Sequence, residues 1–142
     1  MLPAGRRPAL FTLSVMPIPA EITRATAWVE QIGAQIGLVQ SAVFAVQLCL
    51  EETLSNIAQH CPEAAGLAVN LQLQAGLGHV WLQVEDCGPA FDPTSVPATT
   101  LPQSLPAADI GGLGIHLIRH FSAAQIYERA NGVNRLKLSF DA

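Results

Sequence analysis

The chain predicts an α+β domain on three observations: apolar residues at helical spacing in separate stretches, a pair of alternating apolar–polar segments across a Gly-containing turn with a second hairpin around an Asn-Gly pair, and few charges. Its 142 residues suffice for one domain with a core of its own and are too few for two, so residues 1–142 read as a single unit. Half of the residues are hydrophobic and 13% are charged, which places the chain among folded rather than disordered sequences. The net charge of −4 argues against a nucleic-acid partner, which would leave a basic face. Cys49, Cys61 and Cys87 form no spaced pair and leave an odd thiol, so reduced cysteines and a cytoplasmic location are expected. No apolar run approaches the ~20 residues of a membrane span.

The elements follow in order. Leu10 to Val15 reads as a strand; Arg6-Arg7 and the apolar residues after it imitate a short signal peptide, but Pro17, Pro19 and an amphipathic helix follow at once. Ala20 to Ile36 carries Ile22, Ala25, Val29, Ile32 and Ile36 at helical spacing, with Gly33 weakening its last turns. Ser41 is the expected N-cap of a second helix that runs to about His60, where Pro62 stops it. Leu67 to Gln74 and His79 to Glu85 alternate across Ala75-Gly76-Leu77-Gly78 and predict a hairpin. Asp92 to Asp109 holds four prolines and predicts a long loop, of the kind that serves as a lid or binding segment. A third helix, Leu113 to Phe121, and a closing hairpin, Gln125 to Arg129 and Arg135 to Phe140 around Asn131-Gly132, complete the chain.

Three polar elements occur in a telling order. Gly111-Gly112-Leu113-Gly114 lies directly before the third helix, and a glycine run opening a helix offers phosphate unpaired N–H groups at the positive end of the helix dipole. Glu52, Asn56 and His60, spaced i, i+4, i+8, form one stripe on the second helix, opposite Val43, Val46, Leu50, Leu54 and Ile57. An amide oxygen and a carboxylate one turn apart suit a Mg²⁺–phosphate group, the amide as ligand and the carboxylate as base. Taken alone, such a stripe is a polar surface face. Asp86 continues the row Val80, Leu82, Val84, and a carboxylate on a core-facing row needs donors. A purine's exocyclic amine is one such donor; the plainer account is a strand-ending Asp satisfied in its own turn. Gly88 lets the chain pass close to a ligand and Phe91 can wall the pocket. His116 and His120 lack a third metal-ligand candidate and read as packing or surface residues, and Cys87 reads as a small buried one.

The stretches Leu50-Glu51-Glu52-Thr53-Leu54-Ser55-Asn56-Ile57-Ala58-Gln59-His60, Val84-Glu85-Asp86-Cys87-Gly88-Pro89-Ala90-Phe91-Asp92-Pro93 and Gly111-Gly112-Leu113-Gly114-Ile115-His116-Leu117-Ile118-Arg119 resemble the N, G1 and G2 boxes of the histidine-kinase-like (GHKL, Bergerat-fold) ATPases. Among these the chain is most similar to the bacterial anti-sigma-factor serine/threonine kinases. The resemblance implies a two-layer sandwich, a mixed, mostly antiparallel sheet with helices on one face, and ATP with Mg²⁺ as cofactors. It implies that Asn56 holds Mg²⁺ and Glu52 is the general base. Asp86 would take the adenine amine, with Gly88, Phe91 and His60 around it. Gly111, Gly112, Leu113 and Gly114 would cradle the phosphates under a lid spanning 92–110. Ala90 departs from the family's second G1 glycine, and the lid holds no basic residue.

The implied activity is transfer of the ATP γ-phosphoryl group to a Ser or Thr of a STAS-type antagonist protein, with a sigma factor as a further partner. The resemblance leaves room for a homodimer. A rival of another class is a catalytically weak, ATP-responsive protein-binding module, separable by assaying transfer from labelled ATP. A histidine-kinase catalytic domain ranks last, because the short chain holds no dimerising helix pair with an acceptor His.

Overall fold

The computed structural model describes residues 9–61, 66–76, 78–95 and 110–142. In chain order these form β1 (Ala9–Val15), α1 (Pro19–Ile36), α2 (Gln40–His60), β2 (Val69–Gly76), β3 (His79–Asp86), a 3-10 turn at Pro93–Ser95, α3 (Ile110–Phe121), β4 (Ala124–Ala130) and β5 (Val133–Asp141). Pro62, the expected stop of the second helix, lies outside the described residues, as does the 96–109 stretch of the expected lid.

The five strands order as β1-β2-β3-β5-β4. All four pairings are antiparallel, so the sheet expected to be mostly antiparallel carries no parallel pair among the described strands. Alternation in β2, β3 and β5 puts Leu71, Leu73, Leu82, Val84, Leu136, Leu138 and Phe140 on one face, where Val29, Val43, Val46, Leu50, Leu54 and Ile118 of the three helices meet them. The other face is polar: Gln83 donates to Gln72, Arg135 pairs with Glu85 at 2.7 Å, and Lys137 stands over the Trp81 ring. A sheet buried on one side only explains why the alternation was legible in the sequence. None of the described helices is long and apolar enough to cross a membrane.

The helix ends show which backbone groups find partners. Pro19 opens α1, where its missing N–H costs nothing, and the N–H groups of Gly37 (φ +75°) and Leu38 converge on the Gly33 carbonyl to close it. α2 starts earlier than Ser41: the Val39 carbonyl already accepts from Ala42 and Val43, so Ser41 falls inside the first turn and Val39 takes the N-cap position without a side-chain cap. In the closing hairpin Asn131 and Gly132 both have positive φ (54° and 76°), the requirement of the tight turn their sequence predicts.

Gly33 has a packing reason. A Cβ there would lie 2.6 Å from Cγ2 of Val43, so α1 and α2 approach each other through this glycine. Val43 is β-branched and fully buried and cannot swing aside. Gly33→Ala is therefore expected to destabilise the fold by about 1–3 kcal/mol despite alanine's better helix propensity, seen as a lower midpoint in urea at unchanged slope.

Candidate functional site

The core-facing row of β3 ends at Asp86, and the same row of β5 begins at Asn134, its register partner. Beside these two residues a cleft opens between α2, β3 and β5. Asn56, Ile57 and His60 of α2 form one side, Val84 and Asp86 another, and Phe91, Tyr127 and Asn134 close the end. The structure thus brings together Asn56, His60, Asp86 and Phe91 of the expected site. Glu52 does not line this cleft; it sits one helical turn before Asn56 on α2, against Gly114 of α3.

At Asp86 the donors are from the protein itself. Oδ1 accepts the N–H of Gly88 at 2.9 Å and the amide N–H of Asn134 at 3.1 Å. Oδ2 accepts no hydrogen bond among the described residues. Gly88 is glycine because of crowding, not because of an unusual φ: a Cβ would meet Asp86 Oδ1 at 3.0 Å and Cβ of Cys61 at 3.3 Å. Cys61 is buried here, whereas Cys87, expected to be a small buried residue, is exposed, because its side chain points away from the Asp86 face. His60 and Phe91 stack, ring centroids 4.0 Å apart and planes 21° from parallel, as a flat aromatic wall at the mouth.

Asn56 is only 4% exposed, and its Nδ2 has no hydrogen-bond partner among the described residues. An unanswered buried amide costs roughly 1–3 kcal/mol, so the group fits a ligand that answers it. Rotating the amide by 180° exchanges donor for acceptor without changing its shape, and its oxygen then suits a hard cation such as Mg²⁺.

The Glu52 carboxyl is held above the usual carboxylate value by partial burial and, to a lesser extent, by the neighbouring Glu51 charge. It also helps burial push the Cys49 thiol up to about 12. Because the fold raises this carboxyl's affinity for its proton, the folded state binds more protons above pH 4.5, and stability falls as pH rises through that window. Glu52→Gln is expected to remove this loss: its thermal midpoint should exceed the wild type's at neutral pH, and the difference should vanish toward pH 4. A constant difference across pH would show that burial does not act on this group.

α3 begins at Ile110, earlier than expected, so the glycine run is the helix's opening and not a loop before it. Gly111 and Gly112 fall in the first turn, whose N–H groups have no intrahelical acceptor; Leu113 follows them. Gly114 lies beyond that turn and matters for another reason: a Cβ there would sit 2.4 Å from Oε2 of Glu52. The absence of a side chain lets the carboxylate rest against α3. Before α3, the Asp92 carboxylate accepts the N–H (2.8 Å) and hydroxyl of Thr94, and Arg119 of α3 donates to the carbonyls of Pro93 and Thr94 at 3.3 and 3.2 Å.

Sequence reasoning missed Asn134, Tyr127, Arg129 and Cys61. Asn134 had the same signal as Asp86, a polar residue on a core-facing row (Asn134, Leu136, Leu138, Phe140), and the alternation argument applied to β5 would have found it.

Residues 16–140 match the family of histidine kinase-like ATPase domains, and the chain belongs to it. It is 34% identical over 129 residues to the serine/threonine-protein kinase BtrW of Bordetella bronchiseptica, covering 90% of this chain and 91% of that protein. Among solved structures it is similar to the RsbU and RsbW domains of a Mycobacterium tuberculosis protein (TM-score 0.64, 14% identity), covering 94% of this chain but only 32% of that longer one. It is equally similar to the SiaB–SiaC complex of Pseudomonas aeruginosa (TM-score 0.64, 13% identity, 92% of this chain and 88% of that one). At such identities the two structures speak for the fold alone, and they bear out the α+β sandwich.

Proposed function

We propose that the cleft binds ATP with Mg²⁺ and that the chain is an anti-sigma-factor-type serine/threonine protein kinase acting on a small STAS-type antagonist protein, with a sigma factor as a second partner. The observation that carries the reading is the Asp86 carboxylate, with one oxygen saturated by Gly88 and Asn134 and the other left for a donor in the cleft. Membership of the ATPase family and the name of the Bordetella relative support it.

In this reading Asp86 Oδ2 accepts the exocyclic amine of adenine, and the His60–Phe91 stack bounds that end. Asn56, with its buried amide turned over, would hold Mg²⁺ through its oxygen. Gly111 and Gly112 offer N–H groups to phosphate oxygens. Glu52, its proton affinity raised by burial, takes the proton from the attacking hydroxyl. Bound Mg²⁺ supplies charge neutralisation on the transferring group.

The test is incubation of the chain with labelled ATP, Mg²⁺ and candidate antagonist proteins. Phosphoserine or phosphothreonine on an antagonist is the expected result. Nucleotide-dependent binding of the antagonist without transfer would instead favour an ATP-responsive regulatory module. One feature favours that second reading: no Lys or Arg occurs between Asp92 and Gly111, and the Arg119 guanidinium is engaged by backbone carbonyls.

A further inference from the structure

The end of the cleft beside Asp86 is built by the β4–β5 hairpin. Asn134 is 5% exposed and uses its whole amide. Its Nδ2 donates to Asp86 Oδ1 at 3.1 Å and lies 2.9 Å from the Pro89 carbonyl and 3.3 Å from that of Gly88. Its Oδ1 accepts from Nη1 of Arg129 at 2.8 Å and from the Tyr127 hydroxyl. An asparagine amide has no intrinsic preference for either orientation, but a guanidinium can only donate. Arg129 therefore requires oxygen on its own side, which forces the amide nitrogen to face Asp86. Arg129 Nη1 also reaches the Gly88 carbonyl at 3.0 Å, so one cation holds both the amide and the turn.

The consequence for Asp86 is directional. Two donors, Gly88 N–H and Asn134 Nδ2, meet at the same oxygen, which stops the carboxylate from rotating and leaves Oδ2 alone toward the cleft. We propose that Asn134, locked by Arg129 and Tyr127, is a positioning residue for base recognition: it aims the Asp86 carboxylate so that a purine bearing an exocyclic amine is preferred over one without it. The proposal rests on the reading of Asp86 as the base contact and adds the residues that make the contact selective.

The experiment compares the affinity of the full chain, by titration calorimetry, for ATP and for purine riboside triphosphate, which has the same sugar and phosphates but no exocyclic amine. The wild type should prefer ATP by roughly ten-fold or more, the worth of one hydrogen bond to a charged group. Asn134→Ala should bring this ratio close to one. A loosened Gly88–Pro89 turn would lower both affinities alike, so the ratio, and not either affinity, reports on Asp86. Arg129 is exposed, and Arg129→Met keeps the hairpin while releasing the amide; its ratio should fall between the two. A ratio unchanged in Asn134→Ala or, should that variant not fold, in Arg129→Met overturns the proposal. If the wild type discriminates and Asp86→Asn abolishes the preference while Asn134→Ala keeps it, the base contact stands and only the role of Asn134 falls. A wild type without preference removes the base contact and the proposal together.

Discussion

Glu52→Gln is expected to lower phosphotransfer by roughly 10²–10⁴-fold, the usual worth of a general base, while ATP affinity changes by no more than a few-fold. The separation follows from position. Glu52 lies outside the cleft that holds Asp86 and rests against Gly114 on the helix whose first turn carries Gly111 and Gly112, so on the proposed reading it borders the phosphate end and not the base end. Glutamine keeps the shape and removes the proton acceptor. Because burial raises the carboxyl, the acid limb of the wild-type rate should have its midpoint above the ordinary value of 4.5, and the variant should lack that limb. Single-turnover transfer from labelled ATP, with calorimetry alongside, measures both quantities. A normal transfer rate in the variant would remove Glu52 from the chemistry.

Asp86→Asn should weaken ATP binding by ~1.5–3 kcal/mol, about 10- to 150-fold. The substituted amide must still accept from Gly88 and Asn134, which holds its oxygen on the Oδ1 side. Its NH₂ is then turned into the cleft, where the adenine amine meets a donor instead of an acceptor. The same reversal should improve binding of a 6-oxo purine nucleotide relative to ATP. Equal ATP affinity in variant and wild type would rule Asp86 out as the base contact.

Much of this architecture was legible because each signal is local. Alternation revealed β2 and β3, since one face of the sheet is apolar and the other polar, and Asn131-Gly132 announced the closing hairpin through the φ values it permits. Asp86 was found as a carboxylate out of place on an apolar row. The boundaries that slipped depended on partners beyond the local pattern: α2 begins before Ser41 because the Val39 carbonyl takes the first bonds, and α3 begins before its glycines. Gly33 read as a weakness in a helix until its distance to Val43, on another helix, gave the reason. The spacing of Glu52, Asn56 and His60 put them on one stripe but could not tell that α3 covers the first and the cleft receives the other two. The hydrogen bond joining Asp86 to Asn134 spans 48 residues of chain, and no periodicity reports such a pairing.

That span also bears on how the molecule assembles. The β2–β3 and β4–β5 hairpins close over short turns and can form from neighbouring residues alone, but the ladder between β3 and β5 needs a loop of nearly fifty residues to shut first. The base end of the cleft does not exist in either hairpin; it is created when that ladder registers Asp86 opposite Asn134. A nucleotide that recognises this end binds only the registered chain, and at a hundred-fold excess over its Kd adds about 2.7 kcal/mol to the stability of that state. On the proposed reading, nucleotide is a clasp on one of the two long-range seams of the sheet, β3–β5, the other being β1–β2.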